Sequence, residues 1–247
     1  MISPQCQALS ARRRYKRVFM SHDFLKSLSG GRYRWLVALL LTANLTGCAS
    51  TAPAALDRLP QRVEISSVPF YRGNANYSSA MALAALLSQQ GAPITPGLLG
   101  NALGMPERAA SLEAAIARVV REYGRVVYPL DKRLDALLTQ VAAGNPVLLR
   151  YHDGSALFGE PRYAVLIGYD RYKQRVLLRS GMSRRHLLDF DTFESAWVKE
   201  GAWAVLVQSP SRLPAGVDRQ RWVKAADELA REGQEIAAKQ ALRSLGQ

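Results

Sequence analysis

The feature that most constrains the fold of this chain is an ordered change of texture. From Ser78 to Val120 apolar residues recur at helical spacing, and from Arg125 to Val207 they gather into short runs between turn residues. Ser78–Gln90 is rich in Ala and Leu and closes on Gly91, as a helix does. Thr95-Pro96 has the form of an N-cap with proline at the first helical position, opening a short helix to about Leu103. Ser111 reads as the cap of a third helix with Leu112, Ile116, Val119 and Val120 on one stripe. Ahead of them, Arg62–Phe70 alternates with period two and reads as a strand running into a loop.

The later part begins with Arg125–Pro129 as a short strand. Leu134–Ala143 then forms a helix ended by Gly144, and Pro146–Tyr151 a buried strand. Tyr163–Tyr169 and Arg175–Arg179 form an antiparallel hairpin through Asp170–Gln174. His186–Phe190, a short helix capped by Asp191 and running through Trp197, and the strand Ala202–Val207 complete the domain. Helices first and strands afterwards predict an α+β fold. From Val217 to Leu245 the pattern is helical again. Trp222, Ala225, Ala226, Leu229 and Ala230 share one face, Gly233 interrupts, and Ile236, Ala237, Ala241 and Leu242 continue it. This predicts a hairpin like one tetratricopeptide unit, which cannot bury its own face and must pack on the domain or on a partner.

The net charge of +13 raises the question of nucleic acid, and its distribution answers it. Residues 1–47 hold eight basic groups against Asp23 alone, while the remainder carries 25 basic against 19 acidic residues. Arg184-Arg185 and Lys132-Arg133 read as solvated faces, with no interleaved aromatic residues to stack bases, so no nucleic-acid partner is expected. Only Cys6 and Cys48 are cysteines, and only His22, His152 and His186 are histidines. That excludes a disulfide framework or a CxxC metal site and predicts neither metal nor cofactor.

Arg32 and Arg34 precede the apolar run Trp35–Gly47, which has the length of a signal-peptide core and falls short of the roughly 20 residues of a membrane span. The run ends in Leu45-Thr46-Gly47-Cys48, which resembles the bacterial lipobox, where cleavage precedes a cysteine that carries diacylglycerol. The resemblance implies lipid attachment at Cys48, with Ala rather than Asp at position 49 directing the protein to the outer membrane, facing the periplasm. A start at Met20 would leave a signal peptide of ordinary length and remove the basic stretch Arg12–Arg17. The expected organisation is a basic N-terminus and signal peptide at 1–47, a lipidated tether at 48–61, a globular domain at 62–210 and the hairpin at 217–245.

Several segments within 65–207 resemble, in order, the bacterial C39-like peptidase family. Val68-Pro69-Phe70 is similar to the approach to that family's catalytic loop, Arg162–Asp170 to its histidine strand, and Leu178–Gly181 to the strand bearing its third catalytic group. Thr192-Phe193-Glu194 with Trp197, then Trp203-Ala204, resemble its closing helix and strand. The resemblance implies a papain-like fold, with a helical half facing a β half across a cleft. It places the family's cysteine on Ser78, or on Tyr77 with one gap, its oxyanion glutamine on Gly73, its histidine on Arg162 and its third group on Ser180.

Papain-like chemistry needs a thiolate at a helix N-terminus, a base within hydrogen-bond reach, an orienting group and an oxyanion donor. None of these positions keeps its group, and an arginine does not act as a base near neutral pH. The expectation is a degenerate, lipid-anchored member that binds an extended peptide or a secreted or envelope protein without cutting it, with Tyr71, Asn76, Tyr77, Ser78, Arg162 and Trp203 as cleft candidates and the hairpin as a second protein contact. Two alternatives stay open. One is a serine hydrolase using Ser78 with His152 and Asp153, against which stands the reading of His152-Asp153 as a solvated turn and of Ser78 and Ser79 as helix caps. The other is a purely structural envelope lipoprotein. Arg162 reads either as a cleft residue paired to a carboxylate, such as a peptide C-terminus or Asp170, or as an exposed strand end.

Overall fold

The computed structural model of the 247-residue chain describes residues 54–105, 109–155 and 158–246. The signal segment, Cys6, Met20 and Cys48 lie outside the described residues. Among those described, no helix is long and apolar enough to cross a membrane. The elements run α1 (Ala54–Asp57), β1 (Arg62–Glu64), a 3-10 turn (Ala75–Tyr77), α2 (Ser78–Gln89), α3 (Pro96–Leu103), α4 (Ala109–Glu122), β2 (Val126–Pro129), α5 (Leu134–Ala142), β3 (Val147–Gly154), β4 (Gly159–Asp170), β5 (Arg175–Ser180), β6 (Ser183–Asp189), α6 (Phe190–Lys199), β7 (Ala204–Gln208), α7 (Arg219–Arg231) and α8 (Glu235–Ser244).

The strands form one sheet in the order β2-β7-β3-β4-β5-β6, every pair antiparallel, with β1 alongside the end of β4. Its central strands read as unbroken apolar runs because helices cover both faces. Leu148, Val165, Ile167, Leu177, Val205 and Val207 pack against α2, α3 and α4. Leu149, Ala164, Leu166, Leu178 and Leu206 pack against α5, α6 and the α7–α8 hairpin. This is the expected α+β arrangement, a helical half followed by an antiparallel sheet. The C-terminal hairpin belongs to the same unit, since Trp222, Ala225, Ala226, Leu229, Ala238 and Ala241 lie in the core with α5 and β2.

Local signals and tertiary partners agree at α3, where Thr95 Oγ1 accepts the Leu98 N–H at 3.4 Å. They part elsewhere. The strand expected over 62–70 stops at Glu64: β1 runs antiparallel along β4 from Asp170 to Gly168, Ile65 N still donates to Ile167 O, and from Leu166 onward that edge of β4 is taken by β3. Ser111 lies inside α4 rather than capping it. Asp191 lies inside the first turn of α6, whose N-cap position is Asp189; the Asp189 carboxylate is held by Arg175 at 2.8 Å and makes no cap bond. His152 and Asp153 extend β3 through Gly154 rather than forming a solvated turn. In α8, Ile236 and Leu242 face solvent, and the buried stripe is Ala238, Ala241 and Ser244. Small residues are selected there because α8 lies close against α7, with the Trp222 indole N–H donating to Ala241 O at 2.7 Å.

Lys132-Arg133 is only partly a solvated face. The Arg133 guanidinium grips the carboxylate of Asp135, a buried acid in the first turn of α5, with Nε to Oδ1 at 2.9 Å. That hydrogen bond holds the Asp135 pKa below its ordinary value against the opposing effect of burial. A depressed folded-state pKa adds stability at pH values above the unfolded carboxylate's pKa, and that stability is lost as pH falls through the folded value. Asp135→Asn is therefore expected to lower Tm at neutral pH and to flatten the acid limb of a Tm-against-pH curve below about pH 4. An unchanged acid limb would show that other carboxylates carry it.

Candidate functional site

The candidate site lies where the N-terminus of α2 meets the start of β4. The 3-10 turn at Ala75–Tyr77 leads directly into α2, with the Ser78 N–H donating to Ala75 O. From Ser78 to Leu87 the helix is buried throughout, and its many alanines let it settle against the sheet on one side and α3 on the other. Ser78 does not cap it. Tyr77 occupies the N-cap position without a side-chain bond, and Ser78 Oγ instead accepts the backbone N–H of Tyr163 at 3.1 Å. The last β4–β5 partners on that side are Val165 and Arg179, so Tyr163 lies beyond the ladder and the Ser78 hydroxyl supplies an acceptor for its N–H. Ser78 and Arg162, to which the resemblance assigns the cysteine and histidine positions, thus lie at neighbouring points of the fold.

Arg162 itself is committed elsewhere. Its Nε lies 2.9 Å from Asp153 Oδ2 and its NH2 3.0 Å from Glu160 Oε1, with only 14% of the side chain exposed. Of its two expected settings the exposed strand end is not found, and the carboxylates Arg162 pairs with are Asp153 and Glu160 rather than Asp170. Asp170 sits at the far end of β4, roughly 26 Å away along an extended strand, where it accepts the Lys173 N–H at 2.9 Å. The Arg162 guanidinium packs over Gly181, which adopts a left-handed φ of +55°. A Cβ at that position would run into the guanidinium, so both the turn conformation and the close approach require glycine.

Ser180, in the third-group position, shares a 2.8 Å hydrogen bond with the buried Tyr151 hydroxyl. Burial pushes the Tyr151 phenol well above its ordinary pKa; the Ser180 bond opposes this and the Asp153 charge adds to it. The pair is neutral at physiological pH. Gly73, in the oxyanion position, donates its N–H to Gly181 O at 3.3 Å, which ties the loop before α2 to the end of β5.

His152 and Asp153 do not join Ser78. His152 Nδ1 faces Glu200 Oε1 at 3.1 Å, while its Nε2 lies 3.0 Å from Lys199 Nζ and 3.3 Å from Ser155 O. Asp153 serves Arg162.

A groove of about 200 Å³ opens on one side of Ser78, lined by Asn76, Ser79, Met105, Leu112, Arg150 and Tyr163 among others. Asn76 lies exposed at its rim. The Trp203 ring meets Tyr163 edge-on at 5.6 Å, behind the groove wall. Tyr71 and Tyr77 line a different depression, on the side facing α3: Tyr71 reaches Ser88 Oγ at 3.3 Å, and Tyr77, 46% exposed, lies against Gly100. The cleft candidates therefore divide between two faces of the α2 N-terminus.

The sequence reading missed Arg150. Its guanidinium bridges Glu113 at 3.0 Å and Glu200 at 3.3 Å, and Glu200 in turn holds His152, so one charge network runs from the groove to α6. Burial raises the Glu113 pKa, with Arg150 opposing. The signal was present, since a lone arginine inside the apolar run Val147–Tyr151 needs buried partners. Among the described residues no group of three or more His, Cys, Asp or Glu side chains is placed to hold a metal ion.

No protein-family model matches the chain. No curated protein matches it either. Solved structures similar to it include a protein described as a C39-like peptidase from Bacillus anthracis, with a TM-score of 0.49 and 19% identity over 60% of this chain and 97% of that one. A second is the peptidase domain of Streptococcus ComA, a bifunctional ABC transporter of a quorum-sensing pathway, with a TM-score of 0.45 and 14% identity over 57% of this chain and 98% of that one. A third is xylellain, a cysteine protease from Xylella fastidiosa, with a TM-score of 0.45 and 9% identity over 63% of this chain and 88% of that one.

Proposed function

We propose that this protein is a lipid-anchored, non-hydrolytic peptidase-like domain of the bacterial envelope that holds an extended polypeptide in the groove beside Ser78. The observation that carries this reading is the use made of Ser78: its oxygen accepts the Tyr163 N–H and joins helix to strand. A serine nucleophile needs a base in hydrogen-bond contact, and the nearest sequence candidate, His152, is engaged by Glu200 and Lys199. The groove offers what non-covalent recognition of a peptide uses, namely apolar walls from Met105, Leu112 and Tyr163 with polar groups at Asn76 and Ser79.

Three measurements test the reading. Incubation of the purified protein with a fluorophosphonate probe is expected to leave it unlabelled, and labelling that disappears in Ser78→Ala would establish the hydrolase instead. Ser78→Ala is expected to lose about 1–3 kcal/mol of stability by urea unfolding, the cost of removing the acceptor of a buried N–H. For binding, an array of immobilised peptides drawn from envelope polypeptides is expected to retain the protein. Asn76→Trp, which fills the groove from its exposed rim, should abolish that retention with Tm unchanged. Retention equal to wild type would place binding elsewhere.

A further inference from the structure

Arg179 stands in β5 opposite Val165, on the face of the sheet that carries α2. It is 7% exposed. Of the other arginines with an enclosed Nε, Arg121 has Glu228, Arg150 has Glu113 and Glu200, Arg162 has Asp153, and Arg125 has the Gln90 carbonyl. Arg179 has no hydrogen bond or ion pair among the described residues, and its Nε is fully enclosed. Of the charged groups that act on it, Glu64 is the one carboxylate, and Glu64 is ion-paired with Arg185. Arg184 and Arg185 add positive charge. Burial, reinforced by these two arginines, holds the Arg179 pKa below its ordinary value, yet a guanidinium remains charged in a protein. Enclosing Nε of a charged group without a partner is unfavourable, and an anion bound against the guanidinium would offset that cost.

The surroundings supply a place for one. Arg179 lines a small cavity together with Phe70, Tyr71, Ser78, Met81 and Ser180. The cavity runs along the side of α2 from Ser78 to Ala85, and the first turn of this twelve-residue helix has no acidic residue and no side-chain cap. The guanidinium and, from its Ser78 end, the positive end of the helix dipole therefore act on one partly open space. Its volume is about 10 Å³, room for one water-sized group, which selects against sulfate or phosphate.

We propose that Arg179 and the first turn of α2 form a binding site for a small monovalent anion, either chloride from solution or a carboxylate oxygen reaching into the cavity. The site rests on Arg179 and stands whether or not the groove on the other side of Ser78 takes a polypeptide. The test uses the full chain purified in detergent and dialysed into a gluconate buffer, titrated separately with sodium chloride, sodium formate and sodium sulfate while Tm is recorded. A saturating rise of about 3–5 °C with chloride or formate, absent with sulfate, is expected. A response to chloride identifies a free halide as sufficient, and a response to formate alone identifies a carboxylate. No saturating response to either, or the same response in Arg179→Met, overturns the proposal. Because the variant removes an unpaired buried charge, it should be at least as stable as wild type in gluconate. Should it fail to fold, crystals of the wild type soaked in bromide decide the matter: an anomalous peak beside the Arg179 guanidinium supports the site, and its absence at saturating bromide overturns it.

Discussion

Replacing Trp222 with alanine is expected to cost about 3–5 kcal/mol, a large part of the stability of a domain of this kind. Trp222 is completely buried and joins three elements. Its indole N–H donates to Ala241 O at 2.7 Å and closes α7 on α8, and its ring meets Tyr128 of β2 at 6.0 Å. Tyr128 also accepts the Asp218 N–H at 3.0 Å through its hydroxyl and lies beneath the Arg221 guanidinium, so the start of α7 is fastened to the same residue. Truncation of Trp222 would leave a cavity between hairpin and sheet that α-helical backbone cannot collapse to fill. Urea unfolding should show a lower midpoint with a single transition, together with a fall in Tm of about 10 °C or more. Trp222→Phe, which keeps most of the apolar volume and loses only the bond to Ala241, should recover most of the loss. Two separate transitions in the alanine variant would mean instead that the hairpin is an independent unit.

The second large effect is on location. If Cys48 carries two acyl chains, Cys48→Ser is expected to move the protein from the membrane pellet to the soluble fraction almost completely. Each buried methylene contributes about 0.8 kcal/mol, and no described helix is long and apolar enough to cross a membrane. Fractionation of cells expressing wild type and variant at equal levels reads this directly. Metabolic labelling with a fatty-acid analogue should follow the same pattern, with label in wild type and none in the variant. A variant that stays in the pellet after a carbonate wash would refute the lipid anchor and point to a protein contact at the envelope. The exposed Ile236 and Leu242 of α8 would be the first residues to replace in that event.

How far the fold could be read from the sequence depended on whether the local signal and its tertiary partner were the same thing. Thr95-Pro96 carries its own geometry, a hydroxyl cap with a residue that cannot donate, so α3 begins where the sequence says it does. The runs Val147–Leu149 and Ala164–Ile167 are apolar at every position because helices cover both faces of the sheet, and such runs mark central strands wherever their partners lie. Period-two alternation over Arg62–Phe70 was a weaker guide, because a strand lasts only as long as its neighbour has a free edge, and from Leu166 onward that edge of β4 belongs to β3. In α8 the branched residues were the wrong ones to follow. The buried stripe is alanine and serine, since close helix packing admits small side chains and turns Ile236 outward.

The candidate site divides along the same line. Sequence alone determined the residue types at the positions that the resemblance assigns to the catalytic groups: Gly73, Ser78, Arg162 and Ser180 include neither a thiol nor a side chain that acts as a base near neutral pH. It also determined the order of helices and strands, because hydrophobic periodicity is a local property of the chain. Only the tertiary structure decided what the replacements do. Ser78 became an acceptor for a strand N–H because β5 ends before Tyr163, Arg162 turned to Asp153 because β3 places that carboxylate within reach, and Arg179 was buried without a counter-ion because its position in β5 faces α2. Which polar groups meet is set by strand register and helix packing, and these arise from contacts between segments far apart in the chain.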